Sequence, residues 1–117
     1  MATYAVKGLS GSTNGKQIKL TTVATPGDLI HTAVAGTSDW DEIYIYCYNS
    51  GVSAVELTVE WGEHTAPDGN IKCTVPAKSG LQLVVPGLKL QNSMDVNAFA
   101  GSANVLMLSG WVNRITA

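Results

Sequence analysis

The stretch WDEIYIYCYNSGVSAVELTVEW, Trp40 to Trp61, alternates apolar and polar side chains with a period of two on both sides of a turn, Asn49-Ser50-Gly51. In its first half Ile43, Ile45 and Cys47 alternate with Tyr44, Tyr46 and Tyr48; in its second half Val55, Leu57 and Val59 alternate with Glu56, Thr58 and Glu60. Successive side chains of a strand point to opposite faces, so each half predicts a strand with one face in a core. The pair reads as a hairpin. Glu56 and Glu60 then fall on a solvated face, and the three tyrosines fall on a face suited to a second layer or to a partner protein.

Outward from this centre the same short period recurs between turn residues. Upstream, Lys16 to Thr25 predicts a strand stopped by Pro26-Gly27, and Asp28 to Ala35 predicts another that ends at Gly36. Downstream, Ile71 to Val75 and Leu81 to Leu90 predict strands, the latter with a bulge or corner at Pro86-Gly87. Met94 to Ala100 follows, and then a last strand with Leu106, Leu108 and Val112 on one face and Met107, Ser109, Trp111 and Asn113 on the other. No window carries helical spacing. The fold class expected is all-β: an antiparallel two-sheet sandwich of about eight strands, with jelly-roll connections or, as the less favoured option, closure into a barrel.

Residues 1 to 15 differ in texture. A short extended piece, Thr3 to Val6, precedes Gly8, Ser10, Gly11, Ser12, Asn14 and Gly15, the composition of a flexible tether. The expected organisation is a flexible N-terminal arm over 1–15 and a sandwich domain over 16–117. The arm reads either as a frayed end with a surface loop or as a segment that docks on a neighbouring subunit.

Composition narrows the function classes. At 117 residues the chain is long enough for one core without disulfides or metal. Charged residues are only 14 %, so Thr, Ser, Asn and Gly must cover much of the surface. A net charge of −2 gives no basic excess for phosphates, so nucleic acid is not an expected partner. No apolar run approaches the roughly 20 residues of a membrane span, and MATYAVKG lacks the basic start and apolar stretch of a secretion signal. Synthesis in a cytoplasm, with retention there or release by lysis, and no membrane partner are expected.

The sequence carries no catalytic, cofactor-binding or metal-binding constellation. His31 sits inside a strand and His64 in a loop, neither with a partner at ligand spacing. Asp39, Asp41, Glu42, Glu60, Glu63 and Asp68 supply oxygens, but no loop has the alternating ligands of a calcium site. Cys47 and Cys73 follow no ligand or redox spacing and read as buried free thiols; a disulfide would need their strands to face or pair. No enzyme activity and no cofactor are expected. The tyrosine ladder, with Trp40 near it, is the strongest clue. It fits a packing surface within the chain, a protein interface or a sugar-stacking face, and the interface is preferred over sugar because no second aromatic cluster completes a groove.

Three segments resemble a known family: ATPGDLIHTAVAGTSDWDEIYIYCYNSG from Ala24, LTVEWG from Leu57, and VPAKSGLQLVVPGLKLQNSMDVNAFAGSANVLMLSGWVNRI from Val75. They are similar to the small accessory head proteins, decoration or cement proteins, encoded near the major capsid protein in many tailed bacteriophages. The resemblance spans residues 15 to 115 and rests on TPG followed by IHTAV, the DEIY strand, the EWG end and the closing Gly110 to Ile115. It implies a non-enzymatic virion protein on the capsid exterior, a homo-oligomer, most simply a trimer, that binds the major capsid protein. The candidate interface residues are Tyr4, Val6 and Leu9 of the arm, and Trp40, Tyr44, Tyr46, Tyr48 and Trp111. A tail or neck component with the same sandwich and a carbohydrate-binding module displayed on the virion are the rival expectations.

Overall fold

The computed structural model describes residues 2–117; Met1, which the expected arm included, lies outside the described residues. Among the described residues nine strands form: β1 (Thr3–Gly8), β2 (Ile18–Lys19), β3 (Asp28–Thr32), β4 (Trp40–Asn49), β5 (Val55–Trp61), β6 (Asn70–Val75), β7 (Gln82–Leu90), β8 (Asp95–Ala100) and β9 (Leu106–Thr116). They make two antiparallel sheets. One has the order β1-β9-β4-β7, with β2 also on β9, and the other has the order β3-β8-β5-β6. The sandwich class is therefore observed.

Setting β1 aside, the strands pair as β2 with β9, β3 with β8, β4 with β7 and β5 with β6. A nested ladder of that kind, folded over so that alternate rungs fall in different sheets, is the jelly-roll arrangement. β1 is an addition to it. It lies beside β2 along the same edge of β9, pairing Thr3 with Thr116 through Gly8 with Trp111.

The two halves of residues 40–61 are both strands, but they do not pair with each other. β4 lies in one sheet and β5 in the other. The reason is that both are apolar on one face. Side by side in a hairpin, Ile43, Ile45 and Cys47 would line up with Val55, Leu57 and Val59 on one surface that still needed a cover. As an arch between sheets packed about 10 Å apart, the two faces cover each other. All six side chains are buried in the one core cluster. Buried Asn49 holds the corner: its Oδ1 accepts from Gly51 N at 2.8 Å, and its Nδ2 donates to the carbonyls of Ser53 and Val75, each at 2.9 Å.

The acidic face expected on β5 is also corrected. Glu56 is exposed, but Glu60 is fully buried and Thr58 nearly so. The chain between β2 and β3 folds over this end of the sheet. Thr25 Oγ1 and Gly27 N donate to the Glu60 carboxylate, and Asn97 Nδ2 donates to Gly27 O. A Cβ on Gly27 would collide with the backbone of Ala98, so only glycine permits this approach. Of the strand expected over 16–25 only the two residues of β2 pair as a strand: by Thr22, whose carbonyl accepts from Ala100 N, the chain has crossed to the second sheet, and Thr25 belongs to this cover.

The segment expected as a flexible arm is largely ordered by pairing. Thr3–Gly8 is β1, and Leu9 is a core residue. Gly11 N donates to Ile30 O, Thr32 N donates to Ser10 Oγ, and Ser10 N donates to His31 Nδ1. Residues 9–11 thereby bridge from the first sheet to the edge of the second, since Leu9 has a core to enter and β3 has unpaired backbone to satisfy.

Candidate functional site

The alternation on β4 aims Trp40, Glu42, Tyr44, Tyr46 and Tyr48 away from the core, and that on β9 does the same for Met107, Ser109, Trp111, Asn113 and Ile115. Directly paired residues share a face, so register decides which side chains meet. Across β1, β9 and β4 one row is Tyr4, Ile115, Trp40; across β9, β4 and β7 others are Trp111, Tyr44, Pro86 and Ser109, Tyr46, Leu83. Seven of the eight expected interface residues, from three strands, thus lie on one outer sheet face. Leu9 is the exception; at 3 % exposure it belongs to the core and cannot touch a partner.

The centre of the face is built tightly. Tyr44 and Trp111 stack with centroids 4.2 Å apart and ring planes 13° from parallel. On its other side the Tyr44 ring lies over Gly87, whose φ is +91° and whose Cβ, if present, would be 2.9 Å from the ring. The bulge expected at Pro86-Gly87 is real: β7 shifts register against β4 between Ile43 and Tyr44 and again between Ile45 and Tyr46. A Cβ on Gly110 would collide with the Tyr44 carbonyl oxygen, so the backbones of β4 and β9 also close up here. Tyr44 Oη donates to Glu42 Oε1 at 3.1 Å, and Asn113 Nδ2 reaches the same oxygen at 3.4 Å. The bond to Glu42 raises the Tyr44 pKa, so the phenol stays a neutral donor at physiological pH.

The size of the face can be worked from strand geometry. Four strands span about 15 Å and the run from Trp40 to Tyr48 about 26 Å, an area of about 400 Å². That is about half of one side of a standard protein interface, and the aromatic side chains share it with Glu42, Ser109 and Asn113. Tyr4 at 68 %, Val6 at 73 % and Leu83 at 50 % exposure leave the rim open, while Trp40 and Trp111 are each a little over one third exposed. No cavity opens in this face or elsewhere among the described residues. A flat aromatic surface suits a broad partner, whereas small-molecule sites are concave.

The titratable residues meet elsewhere, on the inner side. Asp41 and Arg114 are directly opposite on β4 and β9, and His31 reaches them from β3 in the other sheet. Arg114 donates Nε to Asp41 Oδ1 at 2.8 Å and Nη2 to Oδ2 at 3.0 Å; Val34 N also donates to Oδ2. Because Ser10 N–H donates to His31 Nδ1, the ring proton sits on Nε2 and points to Asp41, 2.8 Å away. Both ring nitrogens are occupied, which leaves no lone pair to act as a general base. Burial alone would raise the Asp41 pKa, but the bonds from Arg114 and His31 outweigh it and hold the carboxyl below its ordinary range. Asp41 and His31 are both buried where the cluster ties the two sheets together. The alternation in the sequence already put Asp41 in phase with Ile43, and that phase was the signal for an inward carboxylate.

Cys47 is buried, Cys73 partly so, and both are free. Burial pushes the Cys47 thiol up to about 12, and burial raises Cys73 too. No group of three or more His, Cys, Asp or Glu side chains that could hold a metal occurs among the described residues. Among the described residues no helix is long and apolar enough to cross a membrane. Comparison of the chain with protein-family models, with curated proteins and with solved structures returned no match.

Proposed function

We propose that this chain is a non-enzymatic structural protein that works by adhesion, with the outer face of the β1-β9-β4-β7 sheet as its binding surface, and that its partner is the major capsid protein lattice of a tailed bacteriophage. The observation that carries adhesion is the outer face on which Tyr4, Trp40, Tyr44, Tyr46, Tyr48 and Trp111 gather, with Trp111 stacked on Tyr44 at its centre. Tyr and Trp held rigid at the middle of a surface are the residues on which protein interfaces concentrate their energy. The choice of partner rests on the resemblance of residues 15 to 115 to phage accessory head proteins. Binding to one state of a lattice stabilises that state by mass action, and a symmetric oligomer spanning several lattice sites adds avidity to modest contacts.

The test is cosedimentation with expanded capsids that carry no accessory protein. Saturable binding in many copies per particle is expected, and Trp111→Ala or Tyr46→Ala should weaken it at least tenfold, the effect of losing one central aromatic anchor. Occupancy at a few copies per particle would move the protein to a tail or neck position. No binding to capsids, together with glycan binding that Tyr44→Ala and Tyr46→Ala abolish, would replace the proposal with the carbohydrate reading.

A further inference from the structure

The four edges of the two sheets are not treated alike. The β7 edge is broken by Pro86, by Gly87 and by two register shifts. The β3 edge is capped by residues 9–11, with Gly11 N on Ile30 O and Ser10 Oγ on Thr32 N, and has a shift of its own. The β6 edge carries Lys72 at its middle and runs into Pro76. These are the devices by which sheet edges are kept from pairing with other chains.

β1 has no proline and no bulge, and its one lysine, Lys7, lies next to its end and not at its middle. It is six residues long, in unbroken register with β9, free of proline, and exposed at every position on both faces. Its sequence, TYAVKG, is also complementary to itself. If two copies lie antiparallel about Ala5, Tyr4 of each falls opposite Val6 of the other on the outer face, and Thr3 falls opposite Lys7 on the inner one. Aromatic and β-branched residues directly opposite are a favourable cross-strand pair. The two lysines end up about 13 Å apart, beyond a physiological Debye length. At the β6 edge the same operation would bring two Lys72 side chains next to each other.

We propose that β1 is the contact through which two copies of this chain associate, strand to strand about a two-fold axis at Ala5, joining their outer sheets into one continuous sheet. Tyr4 and Val6 gain cover from each other, and the Trp111–Tyr44 centre of the aromatic face remains free for a different partner. The contact does not depend on what that partner is. It requires an even number of subunits: a dimer, or pairs of trimers where a three-fold contact exists as well.

Light scattering on the full chain over a hundredfold range of concentration should show mass rising to an even subunit number. A lone subunit or a lone trimer at the top of the range overturns the proposal. Ala5→Cys places one thiol from each copy across the axis, and mild oxidation should give a covalent dimer that Ser102→Cys, on the exposed β8–β9 turn, does not give; equal rates for the two overturn it. Tyr4→Lys combined with Val6→Lys sets like charges opposite each other while changing only side chains that are exposed in the single chain. The even-numbered species should halve, with no change in melting temperature at dilutions where the parent chain is also dissociated, and persistence of that species refutes the strand pairing. Capsid binding by Trp111→Ala, measured separately, tests the aromatic face, and its loss with the even-numbered species intact leaves this contact standing.

Discussion

Replacing Gly87 by alanine tests whether the aromatic face is built by the bulge beneath it. Gly87 has φ +91°, a conformation that costs an L-residue about 1–2 kcal/mol. Its new Cβ would also stand 2.9–3.0 Å from Cζ, Cε2 and Oη of Tyr44, closer than real Cβ atoms come. The ring can yield only by leaving its stack on Trp111, which forfeits about 0.5–1.5 kcal/mol beyond the area involved. Gly80 supplies the control: its φ is +77°, and a Cβ there meets nothing within 4 Å. Gly80→Ala should therefore cost about 1–2 kcal/mol and Gly87→Ala about 1.5–3.5 kcal/mol, a difference of about 1 kcal/mol or about 4 °C in Tm for a chain of this size. Urea melts give both values. Near-ultraviolet circular dichroism should show the Tyr–Trp couplet altered in Gly87→Ala alone, and in a Trp111→Ala background the excess cost should vanish. Equal costs for the two glycine variants, or an excess that survives removal of Trp111, would refute the packing of Tyr44 between Gly87 and Trp111.

Three further outcomes follow from the buried groups. Since the folded-state pKa of Asp41 lies below its unfolded value, its contribution is complete above the ordinary carboxylate range and is lost as pH falls through the depressed folded value; urea melts of Asp41→Asn should lose that acid dependence, and breaking the pair with Arg114→Ala should cost about 3 kcal/mol at neutral pH. Cys47, pushed up to about 12 by burial, and Cys73, also raised, should resist a maleimide in the native protein and react only on unfolding, as read by mass; fast labelling of Cys47 in native buffer contradicts its place in the core. Truncation through Gly8 should leave the sandwich folded with little loss in Tm, whereas truncation through Asn14 also removes buried Leu9 and the Ser10–His31 bond and should cost about 2–4 kcal/mol; equal melting of the two would return residues 9–14 to the status of a tether.

Much of the candidate site was legible in advance because a strand's period of two is a local property. It put Ile43, Ile45 and Cys47 on one face of β4 and the tyrosines on the other, and it separated Trp111 from Leu108 and Val112 on β9. What it could not supply was register. Tyr44 and Trp111 are 67 positions apart, and nothing in either strand says that these two, and not Tyr46 and Trp111, stand opposite. The same gap misplaced Leu9: a leucine among Gly, Ser and Asn looks like part of a tether until the neighbouring sheet edge offers it a core.

The amino-acid order by itself determined the all-β class, the approximate strand set and the inward or outward sense of most side chains, since each depends on residues within a few positions of one another. Only the tertiary structure decided that β4 and β5 arch between sheets, that Glu60 is buried beneath residues 25–27, and that Asp41, Arg114 and His31 converge. Those outcomes depend on which surfaces remain uncovered once every strand competes for a partner. Burial of apolar faces and pairing of backbone groups are satisfied over the whole molecule at once, and no single stretch of the chain carries the result.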